Sequence, residues 1–161
     1  MSKLIRQFSC SLRKLSHNQH INNMQVNEVA VKYHVQTENY FALVSRAQNG
    51  ISVSAFFDML EISNLSKEEL SSLLDVSYKT MQRYQKEGKK LSALNSEQLL
   101  KMIALYQKAE EVFGNLPSFN RWLRKPAHGL NNQHPLSLMQ TSGGIDLINE
   151  ELLRIEFGAF A

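Results

Sequence analysis

Five basic side chains crowd into fourteen residues of this 161-residue chain. Lys79, Arg83, Lys86, Lys89 and Lys90 lie between Ser77 and Lys90 against one acid, Glu87, a local excess of +4 where the whole chain carries +3. Cations at that density neutralise phosphates, with an affinity that falls as salt rises. Ser77, Thr80 and Gln82, interleaved among them, can hydrogen-bond base edges or phosphate oxygens. The chemistry implied is nucleic-acid binding. Tyr78, Lys79 and Gln82 are expected to face a DNA groove. Thr80 and Arg83 hold the backbone, or Arg83 reads a guanine. Lys86, Lys89 and Lys90 complete the candidate DNA-contact set, and Met81 and Tyr84 are expected to point inward.

Catalysis finds little material. The five histidines, His17, His20, His34, His128 and His134, are scattered. His128 and His134 are six apart, not the i, i+4 pair of a helix-borne metal site. There is no G-x-S-x-G and no phosphate-cradling glycine loop. Asp146 and Glu150 share a helix face but read as solvated acids near a helix start. Neither an enzyme nor a bound metal or cofactor is expected.

The elements that must position the basic stretch are legible. Ser66 with Glu69 forms a capping-box signature that starts a short helix with Leu70, Leu73 and Leu74 inward. Asp75–Val76 is a turn, Ser77 caps a second helix, and Gly88 stops it. Two short helices with a tight turn, the second basic, make a helix-turn-helix, and with Ser77-x-x-Thr80-x-x-Arg83 it resembles the Xre/Cro-type DNA-binding domain. Helices are predicted from Thr37 (as cap) to Ala47 and from Ser52. A long helix is predicted over Leu91–Phe113, capped by Asn95 or Ser96 and ended by Gly114.

Upstream, residues 1–25 read as a tail, although Leu4, Ile5, Phe8, Leu12 and Leu15 keep near-helical spacing among basic residues. Val29, Val31, Tyr33 and Val35 alternate with Ala30, Lys32 and His34, which predicts one strand. A lone strand needs a partner, and pairing with a second copy would make a homodimer contact within residues 26–50. Residues 51–114 are assigned to the helix-turn-helix domain and 115–161 to a C-terminal domain.

That C-terminal stretch holds all three prolines, counting Pro117, Pro126 and Pro135, and four of the seven glycines. A helix is expected to open at Pro135 and stop at Gly143–Gly144, with a final helix from Ile145 to about Phe157. The order Trp122, Leu123, Pro126, Leu130, Pro135, Leu136, Leu138, Thr141, Gly144, Leu152, Ile155 and Gly158 resembles the toxin-binding segment of the Xre/MbcA/ParS antitoxin family. Asn131–Asn132 departs from it where glycine is expected, with asparagine tolerating the positive φ.

The resemblance implies an all-α fold: a Xre/Cro-like core and a C-terminal helical toxin-binding segment, joined here by the one short N-terminal strand. It also implies a type II toxin–antitoxin pair. The partner would be a RES-domain toxin that depletes NAD, and the antitoxin would repress its own operon by binding operator DNA. From Ala127 to Ala161 four acids, Asp146, Glu150, Glu151 and Glu156, face one base, Arg154. Such an acidic end suits an electropositive NAD pocket, with Phe160 and the terminal carboxylate inserted. The candidate toxin contacts are Glu151, Leu152, Ile155, Glu156, Phe157, Gly158, Phe160 and Ala161. The competing reading is a stand-alone regulator that oligomerises through this segment. An apolar content of 43%, a single cysteine and the lack of a long apolar run fit a cytoplasmic bacterial protein without a membrane partner.

Overall fold

The computed structural model describes residues 25–35 and 39–158, and within them the chain is helical with no β-sheet. The helices, in order, are α1 (Val26–Lys32), α2 (Tyr40–Gln48), α3 (Ser54–Ser63), α4 (Lys67–Leu73) and α5 (Tyr78–Lys86). They are followed by α6 (Ala93–Phe113), α7 (Leu116–Leu123), a 3-10 turn (His128–Leu130), α8 (Pro135–Leu138) and α9 (Ser142–Glu156).

The 21-residue α6 is the axis of the fold. Leu99, Leu100, Met102, Ile103, Leu105, Tyr106 and Ala109 are all buried, because α1, α2, α3, α7 and α9 all pack on it. A helix apolar around most of its circumference needs such a ring of neighbours. Ser92, not Asn95 or Ser96, caps it, accepting from Asn95 N at 3.2 Å. Ser96 is instead buried and accepts from Ile51 N at 3.0 Å, holding the chain between α2 and α3. There Gly50 has φ +69°, and a Cβ would lie 2.7 Å from the Leu91 carbonyl. Helix α3 starts two residues later than Ser52, and α2 is capped by Asn39, which accepts from Ala42 N at 3.0 Å; Thr37 lies outside the described residues.

The predicted strand at Val29–Val35 is helix α1. The same residues satisfy two periods: the alternation counts Val31, which is 73% exposed, whereas Val26, Val29, Ala30 and Tyr33 at helical spacing are buried. Glu28 accepts from Gln25 N at 3.4 Å at the helix start. Tyr33 and Lys32 both bind the buried Asp58 carboxylate of α3, Lys32 at 2.6 Å. Burial, and then the Asp58 bond, push the Tyr33 phenol far above its ordinary range. Strand pairing across a two-fold axis therefore has no strand to use here.

The second correction concerns Gly143 and Gly144. They do not end a helix from Pro135; α8 is one turn long, and both glycines lie in the first turn of α9, capped by Thr141. Gly144 is required by proximity, since a Cβ there would overlap the Leu138 carbonyl. Asn131 and Asn132 do take positive φ, 53° and 59°.

Candidate nucleic-acid and toxin interfaces

Helices α4 and α5 form the helix-turn-helix. Ser66 Oγ accepts from Glu69 N at 3.0 Å while a Glu69 carboxylate oxygen accepts from Ser66 N at 2.8 Å, so both halves of the capping box are made. The turn is fixed by Asp75 at φ 51° and by Val76 N donating to Ser71 O at 3.0 Å. Ser77 then accepts from Thr80 N at 3.1 Å, and its hydroxyl lies 2.9 Å from that of Thr80. Met81 is fully buried and anchors α5 from below.

This orientation turns Ser77, Lys79, Thr80, Gln82, Arg83 and Lys86 toward one shallow cleft of about 410 Å3 along the outer face of α5. Tyr78, expected at the groove, is half-buried: its ring centre is 6.1 Å from those of both Phe56 and Phe57, and Lys67 Nζ lies 5.4 Å from it. Tyr84 is also partly buried, flanked by Arg83 at 5.5 Å and Lys89 at 5.3 Å. Beyond Gly88, Lys89 is paired with Glu87 at 2.6 Å and Lys90 Nζ donates to Asn49 O at 3.3 Å. Those two cations flank the cleft rather than line it. Gln85 is exposed on α5 as well, and a count of charges alone passes it over.

At the other end, Thr141 Oγ1 accepts from Gly144 N at 3.0 Å to start α9. Ile145, Ile148 and Leu152 bury one face against α6 and the loop after α7. Leu152 and Glu151, expected to touch the toxin, are therefore interior. Glu151 is 2% exposed, and its carboxylate packs against Gly129, where a Cβ would overlap it. Arg154 Nε lies 3.1 Å from Glu151 Oε2 but is not aimed at it, so that oxygen has no hydrogen bond among the described residues. Ile155 is half-buried against the core. Glu156 is exposed and accepts from Lys108 Nζ at 2.8 Å, the bond that chiefly raises the Lys108 pKa. Phe157 is 79% exposed and Gly158 follows at φ +66°. Phe160 and Ala161 lie outside the described residues.

What joins the two regions is polar. Gln98 Nε2 donates at 2.8 Å both to Leu73 O, at the end of α4, and to Met139 O, just after α8. Arg124 binds Glu69 across the same boundary. Neither contact had a signature in the sequence, because its partners are separated by 25 to 55 positions.

With this layout in view, two family models match the chain in tandem. Residues 42–104 match the Antitoxin Xre-like helix-turn-helix domain and residues 108–158 match the Antitoxin Xre/MbcA/ParS C-terminal toxin-binding domain. The chain belongs to the Xre-type antitoxin family. Its helix-turn-helix match covers the whole basic cleft, and its toxin-binding match covers α7, α8 and α9. A protein of Pseudomonas putida named Antitoxin Xre is 24% identical to this antitoxin over 118 residues, 73% of each chain. The antitoxin is thus built from a DNA-binding half and a toxin-binding half that share α6. No helix of the described residues is long and apolar enough to cross a membrane.

Proposed function

We propose that this antitoxin neutralises a RES-domain, NAD-depleting toxin by placing the segment beyond α9 over its active site, and that it represses its own operon as a dimer in the bacterial cytoplasm. The observation that carries the reading is the end of α9. There the apolar face is spent on the core, Glu156 is exposed although it accepts from Lys108, and the bare ring of Phe157 leads outward, with the exposed Asp146 and Glu150 further back along the same helix. An enzyme pocket for a pyrophosphate is electropositive, so an acidic approach steers the encounter and an aromatic side chain anchors it. Ile155, Glu156, Phe157, Gly158, Phe160 and Ala161 remain the candidate contacts. Glu151 and Leu152 act from inside, holding α9 in place. The cleft on α5 supports operator binding, and the two-fold symmetry usual for such readers supports a dimer.

The test is truncation after Phe157. Loss of toxin neutralisation with operator affinity nearly intact is expected. Neutralisation that survives truncation overturns the insertion mechanism. Co-expression with the product of the adjacent reading frame, followed by NAD measurement in cells, identifies the toxin class.

A further inference from the structure

We infer that the groove between α2, α6 and α9 is a second docking surface for the toxin, seating an apolar segment flanked by lysine or arginine side chains; this rests on the antitoxin reading above. The groove measures about 510 Å3. Leu43, Ala104, Leu105 and Ile145 floor it, and Leu153 walls it from α9. Of the apolar side chains lining it, Tyr40 is 60% and Leu153 37% exposed, so part of its apolar surface stands open to water.

The mouth is built before any partner arrives. Lys101 is only 5% exposed, yet it binds both Asp146 carboxylate oxygens, at 2.8 and 2.6 Å, and lies 5.2 Å from the centre of the Tyr40 ring. Contacts fixed in advance lower the ordering cost of association.

Charge then selects the occupant. Lys101 and Lys108 are the cations lining the groove, and each is already matched twice: Lys101 by Glu97 and Asp146, Lys108 by Glu111 and Glu156. Glu150 lies on the same face of α9 one turn beyond Asp146, with no ion pair among the described residues. Within the lining, Asp146 and Glu111 balance the two lysines, and the acids beside it, Glu97 and Glu156 on the lysines and Glu150 on α9, make the surround of the apolar floor acidic. An apolar segment with positive flanks is complementary to it, and an acidic one is repelled. The surface is also continuous with the proposed contact at the end of α9, because Leu153 and Phe157 are one turn apart and both open to solvent. Half of the groove falls within residues 108–158, and Tyr40 and Lys101 bring α2 and α6 into the same contact.

The experiment uses full-length antitoxin and the co-purified product of the adjacent reading frame, with binding followed by calorimetry over a salt series. Leu153→Arg is expected to weaken toxin binding by at least about tenfold, both in the full chain and in the chain truncated after Phe157. Glu111→Lys, a fully surface change, is expected to weaken it less and to flatten its salt dependence. Operator affinity and oligomeric mass should not change in either variant. Wild-type affinity in both variants overturns the groove while leaving the antitoxin reading in place. A wild-type chain that fails to bind that partner overturns both. A change in the antitoxin's own mass, with toxin affinity kept, assigns the groove to a second copy and overturns it as a toxin site.

Discussion

The guanidinium of Arg124 sits 3.0 and 3.2 Å from the two carboxylate oxygens of Glu69, so a residue of the toxin-binding half grips the first helix of the helix-turn-helix. Glu69 is at the same time the acid of the capping box that starts α4. Its bond from Ser66 N, and then the attraction of Arg124, hold its carboxyl below the ordinary 4.5. A carboxylate lowered in the folded state contributes stability that is present above the unfolded value and is lost as pH falls through the folded one. Glu69→Gln keeps the capping geometry but removes the charge. The stability gap between wild type and Glu69→Gln is therefore expected at pH 7 and should close below pH 4.5. The pair is a third exposed, so the gap should not exceed about 1 kcal/mol. Urea titrations at pH 7 and at progressively lower pH check it; a gap that widens toward acid contradicts the assignment.

The two glycines of α9 give a paired prediction. Nothing lies near a Cβ built on Gly143, whereas one on Gly144 would overlap the Leu138 backbone carbonyl, which has no rotamer to yield with. Gly143→Ala is expected to be neutral or to stabilise by up to about 1 kcal/mol through helix propensity. Gly144→Ala is expected to destabilise by about 1–3 kcal/mol, as overpacking does. Thermal unfolding of the two variants beside wild type separates them, and equal melting temperatures would contradict the close approach.

Much of the DNA-binding half was legible because its signals are local. Ser66 with Glu69, Ser77 and Gly88 each act within four residues, and each occupies the cap or stop it predicts. The failures have a common physical form. Val29, Val31, Tyr33 and Val35 alternate, but Val26, Val29, Ala30 and Tyr33 also recur at helical spacing, and only the presence of α6 decides between them. Gly143–Gly144 carries the composition of a helix stop, yet α9 uses it as an entry because the chain must pass close to Leu138. Glu151 counts toward a net charge as any acid does, and nothing nearby in sequence reveals that it is shut against Gly129.

Gln98 offers a test of the connection between the halves. Its one amide nitrogen serves the carbonyls of Leu73 and Met139, and the side chain is half-buried. Gln98→Leu conserves most of the volume but leaves both acceptors to find water or go unpaired, which costs about 1–3 kcal/mol. A loss in that range by chemical denaturation is expected. Gln98→Glu should be no better, because a carboxylate cannot donate to either carbonyl. A Gln98→Leu variant as stable as wild type would mean that the bridge holds nothing.

The helix-turn-helix yields the sharpest contrast. Lys79, Arg83 and Lys86 line the cleft on α5, whereas Tyr78 packs its ring on Phe56 and Phe57. Replacing a phosphate-contacting cation lowers affinity for operator and non-operator duplexes alike and reduces the salt slope by about one unit. Replacing a cation that reads a base costs about 1–3 kcal/mol on the operator alone. Lys86→Ala is expected to behave in the first way. Arg83→Ala distinguishes the two roles left open for that side chain, by whether its loss is uniform or confined to one base pair. Tyr78→Phe should leave both affinity and salt slope close to wild type, since the ring and not the hydroxyl is what the packing uses. Anisotropy titrations against operator and scrambled duplexes at several salt concentrations provide every one of these readings. A Tyr78→Phe variant that lost operator affinity at unchanged stability would return the Tyr78 hydroxyl to the DNA-contact set.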